Sequence, residues 1–249
     1  MMETMKLTVP KDWSELDDQQ LYYVYNLIGD NMSSAQMKTY CLFRFGQIKM
    51  LCRFGNGYLV KQGRNKQEFL VNATVITEAI QALNYLDNVP EKPVRIGKIK
   101  GHQALDPYLK GADLQTYLYV ENLYQGFLAT ESQDLLLQMG RLLYNSEGMT
   151  MSQAERLNVF YWWTALKLAL ARQFPHLFAP QGNNGNLLQK KPLQQRLQDA
   201  MNNQIRALTK GDITKEEEVL SMNLWRALTE LDNLAREAEE LNRKFNHNG

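Results

Sequence analysis

Cysteine and histidine are scarce in this chain: Cys41 and Cys52, with His102, His176 and His247, are all that 249 residues contain. The histidines stand far from one another and from the cysteines, so no zinc-ligand spacing exists and no metal or cofactor is expected. The two cysteines fall in a stretch of helical spacing. On one helix their eleven residues amount to roughly 16 Å, too far for a disulfide. Free, mostly buried thiols in a reducing compartment are the expectation. Net charge is nearly absent as well, with 28 basic residues against 27 acidic ones, so the overall field favours neither nucleic acid nor an acidic ligand. The opening MMETMKLTVPKDW has no apolar core of signal-peptide length, and no later segment is long enough to span a bilayer. A cytoplasmic protein without membrane contact is expected.

The common catalytic signatures are missing too. There is no GxxxxGK[ST] phosphate loop, no HExxH helix and no GxSxG elbow. Gly55-Asn56-Gly57 follows a helical pattern rather than a strand, which makes it a turn and not a dinucleotide fingerprint. The expectation is therefore a non-enzymatic protein. A Cys–His pair, whose members lie far apart in such chains, is a catalytic arrangement that sequence distance does not test.

What the chain does have is apolar periodicity. The most apolar stretch, Leu157 to Phe178, begins behind a capping box of Ser152 and Glu155 and is stopped by Pro175 after Phe174. A helix over 153–173 is predicted, apolar nearly all round and hence central to a core. Its aromatic cluster serves packing in that reading, or else a ligand platform. Arg156, Lys167 and Arg172 leave it too short of apolar residues to be a membrane span, which needs roughly 20.

In the first half, Ser14 with Asp17 is a candidate cap for a helix ending at Gly29. A second helix after Ser33 or Ser34 is expected to carry Met37, Cys41, Phe45, Ile48 and Cys52 on one face. The period then changes. YLVKQ and QEFLV, separated by a turn at 63–66, predict a β-hairpin over 58–71, with Val94-Arg95-Ile96 as a possible third strand. A helix over 72–88 follows, then a Pro-, Gly- and Lys-rich loop over 89–112. Helices are predicted at about 113–128 and 131–144, the second capped by Thr130 with Gln133. NSEGMT at 145–150 is the expected boundary between an α+β domain, 1–148, and an all-α domain, 149–249. The fold class expected is mainly α, with one small β-hairpin and a C-terminal helical hairpin over 190–245.

Within that hairpin a loop is expected at 179–186, then a helix from Lys190 with Pro192 in its first turn, ended by Gly211. Thr214 and Glu217 are a further capping box, and they open the longest predicted helix. Leu220, Leu224, Ala227, Leu231, Leu234, Ala238, Leu241 and Phe245 recur in steps of four and three, a heptad seam. Part of it packs on 190–209 in this reading. The stretch beyond Leu234 outruns that helix, so Leu231, Leu234, Leu241 and Phe245 are the candidate anchors for a protein partner or for self-association.

One charge cluster stands out. Between Lys38 and Glu68 there are seven basic residues and one acidic one, with Tyr40, Phe43, Phe54 and Tyr58 interleaved. Lys38, Arg44, Lys49, Arg53, Arg64 and Lys66 are the candidate phosphate-neutralising residues of a nucleic-acid-binding accessory factor. The alternative is a solvated helix face beside an ordinary hairpin, since no reading-helix motif accompanies them.

Four phrases, VPKDWSELDDQQL, YVENLYQGFLAT, RQFPHLF and LTKGDITKEEEVLSMNLWRALTELDNLARE, together resemble uncharacterised proteins encoded by phages and prophage-like elements of bacteria. The resemblance spans most of the chain and implies a virion or tail-assembly component, virion-associated rather than only cytoplasmic. It carries no functional residues with it.

Overall fold

The structure, a computed structural model, describes residues 7–63, 67–179 and 193–247. Among these, nine α-helices accompany a three-stranded antiparallel sheet and a short two-stranded ribbon, so the fold is mainly α with a small β part. The chain divides into two compact units: Met1–Gly97 with Met151–Ala165, and Lys98–Thr150 with Leu166–Gly249.

The first unit opens with a 3-10 turn, Trp13–Glu15, whose tryptophan is buried. The Trp13 indole donates to the carbonyls of Tyr85 and Asn88, both at 3.1 Å, and stacks on Tyr25 with 5.9 Å between centroids. Helix α1, Asp18–Gly29, is capped by Asp17 rather than Ser14. The Ser14 hydroxyl already donates to Asp12 at 2.5 Å, while the Asp17 carboxylate takes the Gln20 amide at 2.8 Å and Gln20 reciprocates. Helix α2, Ser34–Phe45, starts after Ser33 as expected, and Ser33 with Gln36 forms a capping box there that the sequence reading did not name.

That helix ends earlier than its apolar spacing predicts. Gly46 closes it, Gln47 takes a left-handed conformation at φ 50°, and Ile48–Phe54 becomes strand β1. Cys52 therefore lies exposed on a strand while Cys41 is buried on α2, and both thiols are free. Strands β2, Gly57–Gln62, and β3, Gln67–Asn72, form the expected hairpin; its turn at 64–66 lies outside the described residues. The third strand is β1, pairing Met50 with Val60 and Arg53 with Tyr58 around a bulge. It is not 94–96, where no strand forms and the Ile96 amide donates to Asn158 Oδ1 at 2.8 Å. Glycine is required at position 57, because a Cβ there stands 2.4 Å from the Val71 carbonyl oxygen. Helix α3, Ala73–Gln81, is shorter than expected and gives way to a 3-10 turn at Asn84–Asp87.

In the second unit the predicted 89–112 loop contains a small ribbon, β4 (Lys98–Ile99) with β5 (His102–Gln103), turned at Gly101 with φ 92°. Helices α4, Leu114–Thr130, and α5, Gln133–Leu143, follow. Ser132, not Thr130, stands at the α5 N-cap, because the Thr130 hydroxyl donates back to the Gly126 carbonyl at 2.9 Å. Helix α6, Gln153–Gln173, which belongs to the first unit through Ala165 and to the second from Leu166, has the predicted bounds, and its Ser152–Glu155 box is formed. Residues 180–192, which hold most of the expected loop and Pro192, lie outside the described residues. Helix α7 is described as Leu193–Thr209 and ends on left-handed Lys210 and Gly211.

The helix predicted from Thr214 is two helices, α8 (Glu216–Leu220) and α9 (Leu224–His247). The break at 221–223 comes from a pairing with a distant segment. The Leu114 amide donates to the Met222 carbonyl and the Leu224 amide to the Ala112 carbonyl, each at 2.9 Å. Asp113 and Asn223, facing each other in this bridge, cap α4 and α9 by accepting from Thr116 at 2.8 Å and from Trp225 at 3.1 Å. Glu216, Glu217 and Glu218 consequently begin α8 and not the long helix, and Thr214 bonds to Asp212 instead of forming the expected box.

Candidate functional site

The heptad seam changes character along α9. Leu224, Ala227, Leu228 and Leu231 are buried, the last at 4 % exposure. Leu234 and Ala235 are half-buried and Ala238 is exposed. Leu241 and Phe245 are 55 % and 76 % exposed. Of the four anchor candidates, Leu231 is therefore packed within the molecule, Leu234 lies at the margin, and Leu241 with Phe245 stands open.

Named contacts fix where the covering ends. The Trp225 indole donates to the Tyr108 carbonyl at 2.9 Å, and its ring lies 5.6 Å from that of Phe174. About two turns further on, Asp232 Oδ1 accepts the amides of His176 and Leu177, both at 2.9 Å. The last such tie is His176 Nδ1, 3.2 Å from Glu239. Asp232 and Glu239 are seven residues apart, so they share one flank of α9, beside the seam rather than on it. Past Glu239 the seam continues as Leu241 and Phe245, flanked by the charged side chains of Glu237, Glu240, Arg243 and Lys244, all exposed.

The basic cluster is dispersed by the fold. Lys38 is 7 % exposed, with its ammonium held by the Asp87 carboxylate and, at 2.7 Å, by Asn84 Oδ1. The hydrogen bond from Lys38, with a second from Ser34, keeps the Asp87 carboxyl below the usual range. Arg53 is exposed on β1 opposite Tyr58. Arg64 and Lys66 lie outside the described residues. Arg44 and Lys49 do come together, and Lys61 joins them as the cross-strand partner of Lys49. The three line a cleft of about 790 Å³ with Phe43, Gln20 and Asp17. Lys61 belongs to the seven-residue basic cluster but not to the six candidates; the alternation of β1 and β2 would have added it, had β1 been recognised. Within the cleft Arg44 lies 5.7 Å over the Tyr23 ring, and Lys61 pairs with Glu68 at 3.2 Å. Two of the four interleaved aromatics, Tyr40 and Phe54, are exposed.

Cys41 is buried, and that burial pushes its thiol up to about 12. Ser146 Oγ lies 3.2 Å from His102 Nε2. Among the described residues nothing hydrogen-bonds the other ring nitrogen, so the third member that orients a catalytic imidazole is not in place there. Also among the described residues, no group of three or more His, Cys, Asp or Glu side chains is arranged to hold a metal ion. No described helix is long and apolar enough to cross a membrane. Comparison with protein-family models, with curated proteins and with solved structures finds no match.

Proposed function

We propose that this chain is a non-enzymatic structural or assembly protein of the phage- or mobile-element-derived kind its sequence resembles, working in the cytoplasm or on a virion. It acts through helix–helix contact with another chain along the distal half of α9. One observation carries this reading: a single four-three seam is buried as far as Leu231 and open at Leu241 and Phe245. A lone exposed leucine is ordinary. Two large apolar side chains four apart, in register with a seam that is buried nearly three turns earlier, repeat the geometry by which helices pair. Covering the surface that Leu241 and Phe245 still expose contributes about 1–2 kcal/mol each toward such a contact.

The test uses the two open positions, since a change there does not disturb the buried half. In an extract of the cell that makes it, the chain is expected to sediment above its 28.9 kDa monomer mass. The Leu241→Asp/Phe245→Asp variant is expected to fall to monomer with an unchanged circular dichroism spectrum. Equal particle masses for the two proteins would remove the seam from consideration.

A second reading, a nucleic-acid-binding accessory factor, is favoured by the cleft that Arg44, Lys49 and Lys61 share. Like charges directly opposite each other on neighbouring strands, as Lys49 and Lys61 are, destabilise a sheet unless something negative lies between them. Binding to DNA or RNA that weakens steeply with salt, and more so in Arg44→Ala/Lys49→Ala, is what that reading requires.

A further inference from the structure

The open part of α9 is complementary to itself, and we propose that its occupant is a second copy of this chain, paired antiparallel. This inference rests on the assembly reading above and names its partner.

With Leu224 as heptad position a, the seam places Leu231, Ala238 and Phe245 at a and Ala227, Leu234 and Leu241 at d. In an antiparallel pair each a residue meets a d residue of the other helix. A two-fold axis between Glu239 and Glu240 then sets Leu234 against Phe245 of the second copy, and Ala238 against its Leu241. The same two contacts recur on the other side of the axis, giving four layers. In every layer next to the axis a small side chain faces a large one, so both have room. A parallel pair instead stacks Ala238 on Ala238, where the layer is underfilled, and Phe245 on Phe245.

Charge selects the same arrangement. Glu237 and Lys244 occupy the two g positions that flank this stretch, and antiparallel helices bring g against g. Glu237 of each copy thus lies beside Lys244 of the other, one pair on each side of the axis. A parallel pair brings Glu237 against Asn242, and that complementarity is lost. Among the described residues neither has another engagement: the flank ties of α9 run through Asp232 and Glu239, and both g side chains are exposed.

The pair is short, about 14 residues per helix, and falls below the area of a permanent interface. Association is expected at tens of micromolar rather than nanomolar, the range in which an assembly protein joins only when concentrated. The experiment is sedimentation equilibrium of the purified full chain in reducing buffer across roughly 1–300 µM. The expected result is a monomer–dimer equilibrium abolished by Leu241→Asp/Phe245→Asp. Glu237→Lys and Lys244→Glu should each weaken the dimer about five- to tenfold, and Glu237→Lys/Lys244→Glu together should restore it to within about twofold. A dimer that the two charge changes weaken additively, without recovery, overturns the antiparallel pairing. A purified chain that stays monomeric throughout overturns self-pairing itself. The assembly reading then stands or falls on the particle mass in extract: dependence on Leu241 and Phe245 there keeps it, and indifference removes both.

Discussion

The ammonium of Lys38 is held by the Asp87 carboxylate and Asn84, on a helix face that its spacing alone assigns to solvent. With 37 % of the Asp87 side chain exposed, the pair is only partly desolvated, and its loss costs less than that of a fully buried pair. Lys38→Met keeps the aliphatic stem and is expected to destabilise the protein by about 1–2 kcal/mol. The pH dependence follows from the direction of the Asp87 shift. Its carboxyl is lowered when folded, so the unfolded chain binds the proton more readily, and the stabilisation is present above the ordinary carboxylate range. It is lost as pH falls through that range, below about 4. Asp87→Asn should flatten the acid limb of a urea-midpoint profile and leave its neutral slope unchanged. An acid limb as steep as the wild type's would mean that other carboxylates carry it. The cysteines make a second residue-scale prediction. Cys41, buried and with its thiol pushed up to about 12, should react with a disulfide reagent only after unfolding, while exposed Cys52 reacts in the native protein. Two fast thiols in the folded chain would mean that α2 opens readily.

Helix α9 begins at Asn223 because a bridge to Asp113 interrupts what the apolar spacing offers as one continuous helix. Asn223→Ala is expected to cost about 1 kcal/mol in a thermal or urea melt, and Thr214→Ala less than about half of that. The reverse order would mean that the helix runs unbroken from Thr214. Local signals of this kind were legible at the Ser152–Glu155 box, the proline stop after Phe174 and the β2–β3 alternation, whereas at Ser14, Thr130 and Thr214 a nearer acceptor took the hydroxyl expected to cap. They failed where a distant segment decides. Leu220 and Leu224 are four apart whether or not the helix breaks between them, and only the Ala112 and Met222 carbonyls reveal that it does. Strand β1 failed likewise, since Ile48 and Cys52 fit a helix face as well as a strand, and Gly46-Gln47 was the one local warning. The open seam was legible because a helix carries its own period. The basic cluster was not, because Asp87 and Asn84, which take Lys38 out of it, lie 46 residues and more along the chain.

At the scale of the whole molecule, 28 positive and 27 negative side chains leave almost no long-range field. Association must therefore come from short-range contact, and the two candidate surfaces differ in how they respond to ions. The α9 seam offers apolar layers with two exposed ion pairs, and such pairs contribute little and are screened further by salt. Raising salt from about 50 to 500 mM, which shortens the Debye length from roughly 14 to 4 Å, should change the dimer constant by no more than about threefold. The Arg44–Lys49–Lys61 cleft offers charge and little else, so polyanion binding there should fall about tenfold or more over the same range, with a logarithmic slope near the number of phosphates neutralised. A salt series on the full chain, read by sedimentation for the dimer and by fluorescence anisotropy for a labelled oligonucleotide, separates the two on one preparation. Self-association that collapses with salt would place its origin in charge, away from Leu241 and Phe245. Oligonucleotide binding that ignores salt would leave the basic cleft without a part in it, because a site whose only complementarity is to phosphate has no other source of affinity.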